Sequence, residues 1–304
     1  MRPALAAIAL AIVAASCSLP GRDARRAFAP PLPQSPSELD CTPLSLLNDS
    51  DGDFARVDAS TLSALCASVT RFSDVGRDWT VQRLHSGRPG PLWIVPHDDE
   101  NSAFASGVAA VSRYGGILVA VESSGQRNNG PRDPNRIFGL SGRCRGAGAG
   151  PVAPTFTAEL LRYRFAGQPV VALHNNMPGY ENDGAHGQGN VSILLDARHR
   201  TAFPAPAPYP ESASPSDTLV YVAGERRTPG AATAQLIARL NGAGIHVLYE
   251  HVAASRSDCS LSNFALLAGI APYVNIEVVK EDTATQTRLI DDVMRILAAG
   301  SWTS

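Results

Sequence analysis

Residues 91–102, PLWIVPHDDENS, join an apolar run that suits a buried strand to polar side chains that can bind a metal. Residues 170–175, VVALHN, repeat this arrangement far downstream, with His174 after the apolar run. His97 and Glu100 lie three residues apart on a turn before a predicted helix, so both can face one point, which His174 would reach from a neighbouring strand. Two histidines and one carboxylate are typical ligands of a catalytic zinc, which keeps its fourth position for water. The two stretches predict a site for one zinc ion per chain.

A second interpretation of the first stretch needs no metal. A histidine and a glutamate three residues apart occur by chance in many chains, and Asp98, Asp99 and Glu100 could simply form the acidic first turn of the helix that follows. Carboxylates are favoured there by the helix dipole. The two interpretations differ in where the carboxylate of Glu100 points.

The N-terminal residues predict export. Residues 1–17, MRPALAAIALAIVAASC, place one arginine before an apolar run and then small residues, which is the layout of a signal peptide and too short for a transmembrane helix. Cys17 stands in a context similar to a bacterial lipobox, so membrane attachment through a lipidated Cys17 is an open alternative to a free periplasmic protein. Residues 18–40 are rich in proline and read as an extended tether. Residues 41–304 form the predicted catalytic region, which we expect to be one large domain, with two domains as the alternative.

Four cysteines remain beyond the signal segment: Cys41, Cys66, Cys144 and Cys259. An even number in an oxidising compartment suggests two disulfides, although four cysteines allow three connectivities and some could be free buried thiols. We expect Cys41 to pair with Cys66. A second bridge, between Cys144 and Cys259, would tie together two loops that border the proposed site.

Composition indicates an ordinary globular protein. The chain is 44% hydrophobic and 18% charged, with a formal net charge of −2. It lacks the basic excess of a nucleic-acid-binding protein and the pattern of a coiled coil. No protein partner can be inferred from these properties.

Hydrophobic periodicity predicts alternating strands and helices. Residues 80–85 and 92–96 flank the turn SGRPG and resemble a β-hairpin. Further strands are predicted at residues 117–121, 169–173, 191–195, 218–223, 245–250 and 273–279, and helices at 102–114, 157–165, 231–240, 261–268 and 282–299. This order predicts a single three-layer α/β/α domain with a central, mixed sheet.

Two more stretches carry polar residues of chemical interest. Residues 122–139, ESSGQRNNGPRDPNRIFG, form an arginine-dense loop that contains Arg127, Asn135 and Arg136. Glu277 lies inside the apolar strand predicted at 273–279, where a carboxylate is costly unless it is paired or functional.

In these motifs the chain resembles the M14 zinc carboxypeptidase superfamily, which includes the aspartoacylase and succinylglutamate desuccinylase branch. His97 and Glu100 match its HxxE motif, and His174 matches its later histidine. Residues 133–138, DPNRIF, are similar to the DxNRxF motif of the deacylase branch, and residues 262–277 resemble the segment that leads to the catalytic glutamate. The resemblance covers residues 90–299.

The resemblance implies a role for each motif residue. Zinc would be held by His97, Glu100 and His174, and Glu277 would take a proton from water and return it to the leaving amine. It further implies that Arg127 stabilises the oxyanion, and that Arg136, with Asn135, binds a substrate carboxylate through a planar two-point contact.

Some assignments have alternatives within the sequence. Arg136 could instead form a structural ion pair with Asp133, and Glu277 could lie on an edge strand facing water, in which case Glu250 is the other strand-borne candidate for the base. His186 lies in a glycine-rich loop and is more typical of a surface residue than of a ligand. The carboxypeptidases carry a mobile tyrosine shortly before the helix that precedes the base, and residues 252–260, VAASRSDCS, offer none.

The resemblance implies an exported, zinc-dependent metallocarboxypeptidase acting on a peptide, for example in the cell envelope. An N-acyl amino acid deacylase with the same metal site is the first alternative. The second is an envelope lipoprotein that retains the fold to bind peptide or metal without turnover. Cleavage of peptides, cleavage of acyl amino acids and binding alone would distinguish the three.

Overall fold

The structure, a computed structural model, describes residues 41, 42, 44, 47, 51–145, 150–176, 191–194, 199–209, 212 and 214–300. The predicted signal peptide, the tether, Cys17 and His186 lie outside the described residues. No helix within the described ranges is both long enough and apolar enough to cross a bilayer.

Nine strands of the described residues form one mixed sheet. They are β1 (Cys66–Asp74), β2 (Arg77–His85), β3 (Leu92–Val95), β4 (Ile117–Glu122), β5 (Val170–Asn176), β6 (Arg200–Phe203), β7 (Leu219–Gly224), β8 (His246–His251) and β9 (Tyr273–Val279). Their order is β1-β2-β4-β3-β5-β9-β7-β8-β6. The pairs β3–β4, β3–β5, β5–β9 and β7–β8 are parallel, and the pairs β1–β2, β2–β4, β7–β9 and β6–β8 are antiparallel.

Helices cover both faces of this sheet. In the described residues they are α1 (Ala59–Ser63), α2 (Asn101–Tyr114), α3 (Pro154–Leu161), α4 (Ala231–Gly242), α5 (Leu261–Leu267) and α6 (Thr283–Ala298). Strand β3 contributes side chains to the hydrophobic cores on both faces of the sheet, because alternate side chains of a strand point to opposite faces. Trp93 and Val95 pack with residues of α2, α4 and α6, whereas Leu92 and Ile94 pack with residues of α3 and α5. The predicted three-layer α/β/α fold with a central mixed sheet is confirmed.

The predicted hairpin between residues 80–85 and 92–96 is wrong. Strand β2 pairs with β1 and β4, and β3 lies between β4 and β5, parallel to both. The true hairpin joins β1 to β2 through a turn at Val75 and Gly76. All four residues of β3 are buried, which suits a central parallel strand covered on both faces. The SGRPG turn is therefore a crossover and not a hairpin loop.

Most of the other predicted elements are present within a few residues of their expected ends. The strand predicted at 273–279 has the same limits as β9, whereas the helix predicted at 157–165 begins earlier, at Pro154. The strand predicted at 191–195 is not found: residues 191–194 are not in a strand, and residue 195 is not described. Strand β6, at the edge of the sheet beside β8, was not predicted.

Both expected disulfides are confirmed. Cys41 is bonded to Cys66, and Cys144 to Cys259, so the residues just after the arginine-dense loop are tied to the segment before α5. The backbone N–H of Phe138 donates to the carbonyl of Cys259 at 2.9 Å, which links the loop itself to the same segment. Two disulfides point to a non-cytosolic environment, because cytosolic thiols are kept reduced.

Candidate metal centre

The sheet topology brings the two separated motifs together. His97 follows β3, Glu100 immediately precedes α2, and His174 lies near the end of β5, the strand next to β3. Asn175, on the opposite face of β5, accepts hydrogen bonds from the hydroxyl of Ser102 at 2.7 Å and from the backbone N–H of Ala103 at 2.9 Å. These two bonds hold the start of α2 against the end of β5. They therefore set Glu100 at a defined position relative to His174.

Three potential ligand atoms converge at this point. The Nδ1 atom of His97 lies 2.8 Å from Oε1 of Glu100, and Nδ1 of His174 lies 3.0 Å from Oε2 of the same carboxylate. The three residues are buried, and their ligand atoms all lie within 4.8 Å of one another. The structure thus brings together the three residues that the sequence singles out.

This donor set fits zinc. Bonds of about 2.0 to 2.2 Å in a tetrahedral site separate neighbouring ligand atoms by roughly 3.4 Å, which small rotations of these three side chains can reach. Two imidazoles and one carboxylate also form an open site, with room for a fourth ligand. Burial raises the pKa of Glu100, but the charges of His97 and His174 and their hydrogen bonds outweigh it and hold this pKa well below its ordinary value. Glu100 is therefore an anion and suits a cation.

The acidic residues beside the site do not form a helix cap. Glu100 is the N-cap residue of α2, yet its side chain makes no capping hydrogen bond and turns to the histidines instead. Asp98 accepts hydrogen bonds from the backbone N–H groups of Ser123 and Gly125, and Asp99 forms an ion pair of 2.6 Å with Lys280. The structure thus gives each carboxylate a separate partner. The interpretation as a simple acidic first turn does not hold.

Asp133 is a residue of the site that sequence reasoning missed. Its Oδ1 atom lies 2.9 Å from Nε2 of His97 and also accepts from the backbone N–H of Asn135 at 2.7 Å. Burial raises the pKa of Asp133, but the hydrogen bond and charge of His97 outweigh it and leave the pKa below its usual value. A carboxylate on the distal nitrogen is the usual way in which a metal-binding histidine is oriented and made more basic. The DPNRIF motif, which begins with this residue, was the available signal.

Asp133→Asn is expected to weaken zinc binding by about 10- to 100-fold while leaving the fold intact, because the amide keeps the size of the side chain but not its charge. Competition with a fluorescent chelator would measure the affinity. Asp258→Asn is the matched control, since Asp258 is paired with Arg136 and not with one of the three potential ligands, and it should bind zinc like the wild type. Unchanged affinity in Asp133→Asn would remove this role for Asp133.

Arg127 contacts the carboxylate of Glu100, one of the three potential ligands, directly. Its NH1 group donates to Oε1 of Glu100 at 2.7 Å, and its Nε is buried without a hydrogen-bond partner among the described residues. Burial lowers the pKa of Arg127, but the charges of Glu100 and Asp133 more than compensate, so the guanidinium stays charged. The structure places this cation beside the three potential ligands.

Asn135 and Arg136 lie next to each other but face different groups. The side chain of Asn135 is engaged within the protein, since Oδ1 accepts from the backbone N–H of Leu261 at 2.9 Å and Nδ2 lies 3.4 Å from Nε2 of His174. Arg136 donates to the carbonyl of Asn135 at 2.7 Å, and its Nε lies 3.6 Å from Asp258. Arg136 is thus not paired with Asp133 by a salt bridge. Asn135 contacts the site itself, whereas Arg136 lines a neighbouring cavity.

Glu277 lies on a central strand and not on an edge. Strand β9 runs between β5 and β7, and Glu277 is directly opposite His174 in the parallel register. Residues paired in this way project to the same face of a sheet, and neighbouring strands are about 4.8 Å apart. Glu277 is buried, and its Oε1 accepts a hydrogen bond of 3.0 Å from Asn275. Burial raises its pKa, opposed by the charge of His174 and reinforced by that of Glu100.

Glu250 is too far from His174 to act on a group bound by the three potential ligands. It lies on β8, three strands from the strand of His174, which corresponds to roughly 14 Å at the usual strand spacing. Its carboxylate accepts from Asn263 at 3.2 Å and from Ser262 at 3.4 Å. Glu277, on the strand adjacent to that of His174, is better placed than Glu250 to act beside the three potential ligands.

Comparisons with known proteins add little to this description. No protein-family model and no curated protein matches the sequence. One solved structure that matches is that of a candidate metallopeptidase from Shewanella amazonensis, with 13% sequence identity and a TM-score of 0.42 over 82% of this chain and 92% of that one. A similarity at this level does not establish a family.

Proposed function

We propose that this protein is an exported, zinc-dependent hydrolase of the carboxypeptidase type, which cleaves an amide bond next to a free carboxylate. The observation that carries the proposal is the buried Glu277 directly opposite His174, beside a convergent pair of histidines and a glutamate. A buried carboxylate next to a metal-binding group is a typical arrangement for metal-assisted hydrolysis. The motifs shared with the M14 zinc carboxypeptidases, in the same order along the chain, support the same conclusion.

The proposed chemistry assigns one task to each polar group. Zinc held by His97, Glu100 and His174 would lower the pKa of a bound water toward about 7. Glu277 then serves as the base that accepts a proton from water and the acid that returns it to the leaving amine. Its burial favours this exchange, because it shifts the pKa of the carboxyl upward from the value of an exposed glutamate.

In the proposed mechanism two arginines interact with negatively charged groups of the substrate. Arg127 lies against Glu100 and stabilises negative charge that develops on the carbonyl oxygen. Arg136 binds the free carboxylate of the substrate from the wall of the cavity, where its only carboxylate partner among the described residues, Asp258, is 3.6 Å away. Asn135 holds His174 and the first residue of α5, and thereby supports both the metal site and the cavity.

Export and substrate class belong to the same proposal. The two disulfides suit a protein that works outside the cytosol, where peptides of the cell envelope are the accessible substrates. A screen of peptides, cell-wall fragments and acyl amino acids with the zinc-loaded protein tests the proposal. Release of a C-terminal residue from peptides supports it, and release of an acid from acyl amino acids alone would indicate a deacylase instead.

Arg136→Ala is expected to lower kcat/KM by about 10- to 100-fold for a peptide with a free C-terminal carboxylate, since a hydrogen bond to a charged group contributes about 1.5 to 3 kcal/mol. The same peptide with an amidated C-terminus should show no further loss. Arg143→Ala removes an exposed arginine of the same loop region and should behave like the wild type. Equal losses on both peptides would make Arg136 a structural residue.

A further inference from the structure

A cavity of about 620 Å³ lies beside the proposed metal site and has an excess of positive charge. Four arginines line it, Arg136, Arg145, Arg200 and Arg256, with two carboxylates, Glu250 and Asp258. One arginine is enough to bind the terminal carboxylate of a substrate. The remaining cations therefore need another explanation.

Both carboxylates of the cavity already have partners. Asp258 is paired with Arg136, and Glu250 accepts hydrogen bonds from Ser262 and Asn263 at the start of α5. Burial and the nearby charge of Asp258 raise the pKa of Glu250, and the charge of Arg200 opposes this shift. Neither carboxylate lies within 4.0 Å of the guanidinium of Arg200.

Arg200 is held in place and forms no ion pair within 4.0 Å in the described part of the chain, although Glu250 stands opposite it in the register of β6 and β8. Its guanidinium carbon lies 5.4 Å from the centre of the Tyr221 ring, and its Nε is buried without a hydrogen-bond partner there. By contrast, Arg256 approaches His251 to 3.5 Å. An arginine stacked on an aromatic ring keeps its planar fork free for a two-point contact with a carboxylate.

The direction of the Arg200 side chain brings it toward the reaction centre. Strand β6 lies at the edge of the sheet, beyond β8, yet Arg200 reaches back across β8 to Tyr221 on β7. Strand β7 is the neighbour of β9, where Tyr221 stands opposite Asn275, two residues before Glu277. The strand whose Tyr221 ring contacts the guanidinium is therefore adjacent to the strand that carries Glu277, at a spacing of about 4.8 Å.

We propose that Arg200 binds a second carboxylate of the substrate, so that the residue released by this enzyme has an acidic side chain. Arg136 would bind the terminal carboxylate and Arg200 the side-chain carboxylate, both within the same cavity. This inference rests on the proposed function, because it names the substrate class of that site. It makes Arg200 a specificity-determining residue.

The test compares hippuryl-glutamate with hippuryl-glutamine, which have nearly the same shape and differ in charge, on the zinc-loaded protein. We expect kcat/KM to be about 10- to 100-fold higher for the glutamate substrate, the range of one charge-assisted hydrogen bond. Arg200→Ala should bring the ratio close to one, and Arg200→Lys should restore part of it. Arg71→Ala, an exposed arginine on β1 near the other edge of the sheet, is the control and should keep the wild-type ratio.

Two outcomes separate this inference from the proposed function. Equal cleavage of both substrates, or an equal loss on both in Arg200→Ala, would overturn the inference and leave the carboxypeptidase proposal standing. If no peptide is cleaved, the proposed function fails, and calorimetric titration with N-acetylglutamate and N-acetylglutamine then decides the inference. Tighter binding of N-acetylglutamate that depends on Arg200 supports it, and equal or absent binding of the two overturns it.

Discussion

Glu277→Gln is expected to lower turnover by about 10²- to 10⁴-fold while the protein keeps its zinc. The amide preserves the size of the side chain and can still contact Asn275, which lies 3.0 Å away in the wild type. It cannot accept the proton of the attacking water, and this loss falls on the chemical step. We therefore expect kcat and kcat/KM to fall together, which steady-state kinetics and zinc analysis of the same sample would show.

The control for this substitution is Glu281→Gln. Glu281 is exposed and pairs with Arg56 at the surface, so its loss should leave turnover unchanged. Normal turnover in Glu277→Gln would remove the proposed base. Loss of zinc together with activity would instead show that Glu277 contributes to metal binding. The structure argues against this, because Glu277 lies opposite His174 and is not one of the three residues whose potential ligand atoms converge.

His97→Ala and His174→Ala are each expected to reduce the zinc content from about one ion per chain to a small fraction after dialysis. Either substitution leaves two protein ligands, whereas catalytic zinc sites use three. Activity should fall with the metal. Elemental analysis of the dialysed proteins measures the effect, and circular dichroism shows whether each variant remains folded.

Asp99→Asn provides the matched control for the metal site. Asp99 is adjacent to Glu100 in the chain, but its carboxylate is paired with Lys280 at 2.6 Å. This variant should retain its zinc. Stoichiometric zinc in both histidine variants would place the metal elsewhere in the protein.

Several features could be predicted from local sequence because local physical chemistry decides them. Strand β9 has the predicted limits, since its apolar run is bounded by Pro272 and by Lys280. The three potential metal ligands were also found from sequence, because each follows or ends an apolar run that becomes a buried strand. Carboxyl ends of neighbouring parallel strands meet at one edge of a sheet, so polar residues at those ends come together once the strands pair.

Pairing between distant strands could not be predicted in the same way. The sequence suggested a hairpin of two adjacent runs, but the first of them pairs with β1 and β4 instead. An apolar run has the same appearance whether its neighbour is parallel or antiparallel, and burial on both faces removes the alternation that would orient it. Strand β6, whose four residues are all exposed or half-buried, is defined by its pairing with β8.

The roles of Asp133 and Arg200 likewise depend on the tertiary structure. Asp133 lies 36 residues from His97 and meets it only because the arginine-dense loop folds back over the end of β3. Arg200 gains its position from an edge strand and from the ring of Tyr221. The sequence alone determined which residue types could hold a metal, since those depend on side-chain chemistry. The folded chain decided which groups orient the potential ligands, and which arginine of the cavity forms no close ion pair in the described structure. Those contacts join segments that are far apart in the sequence.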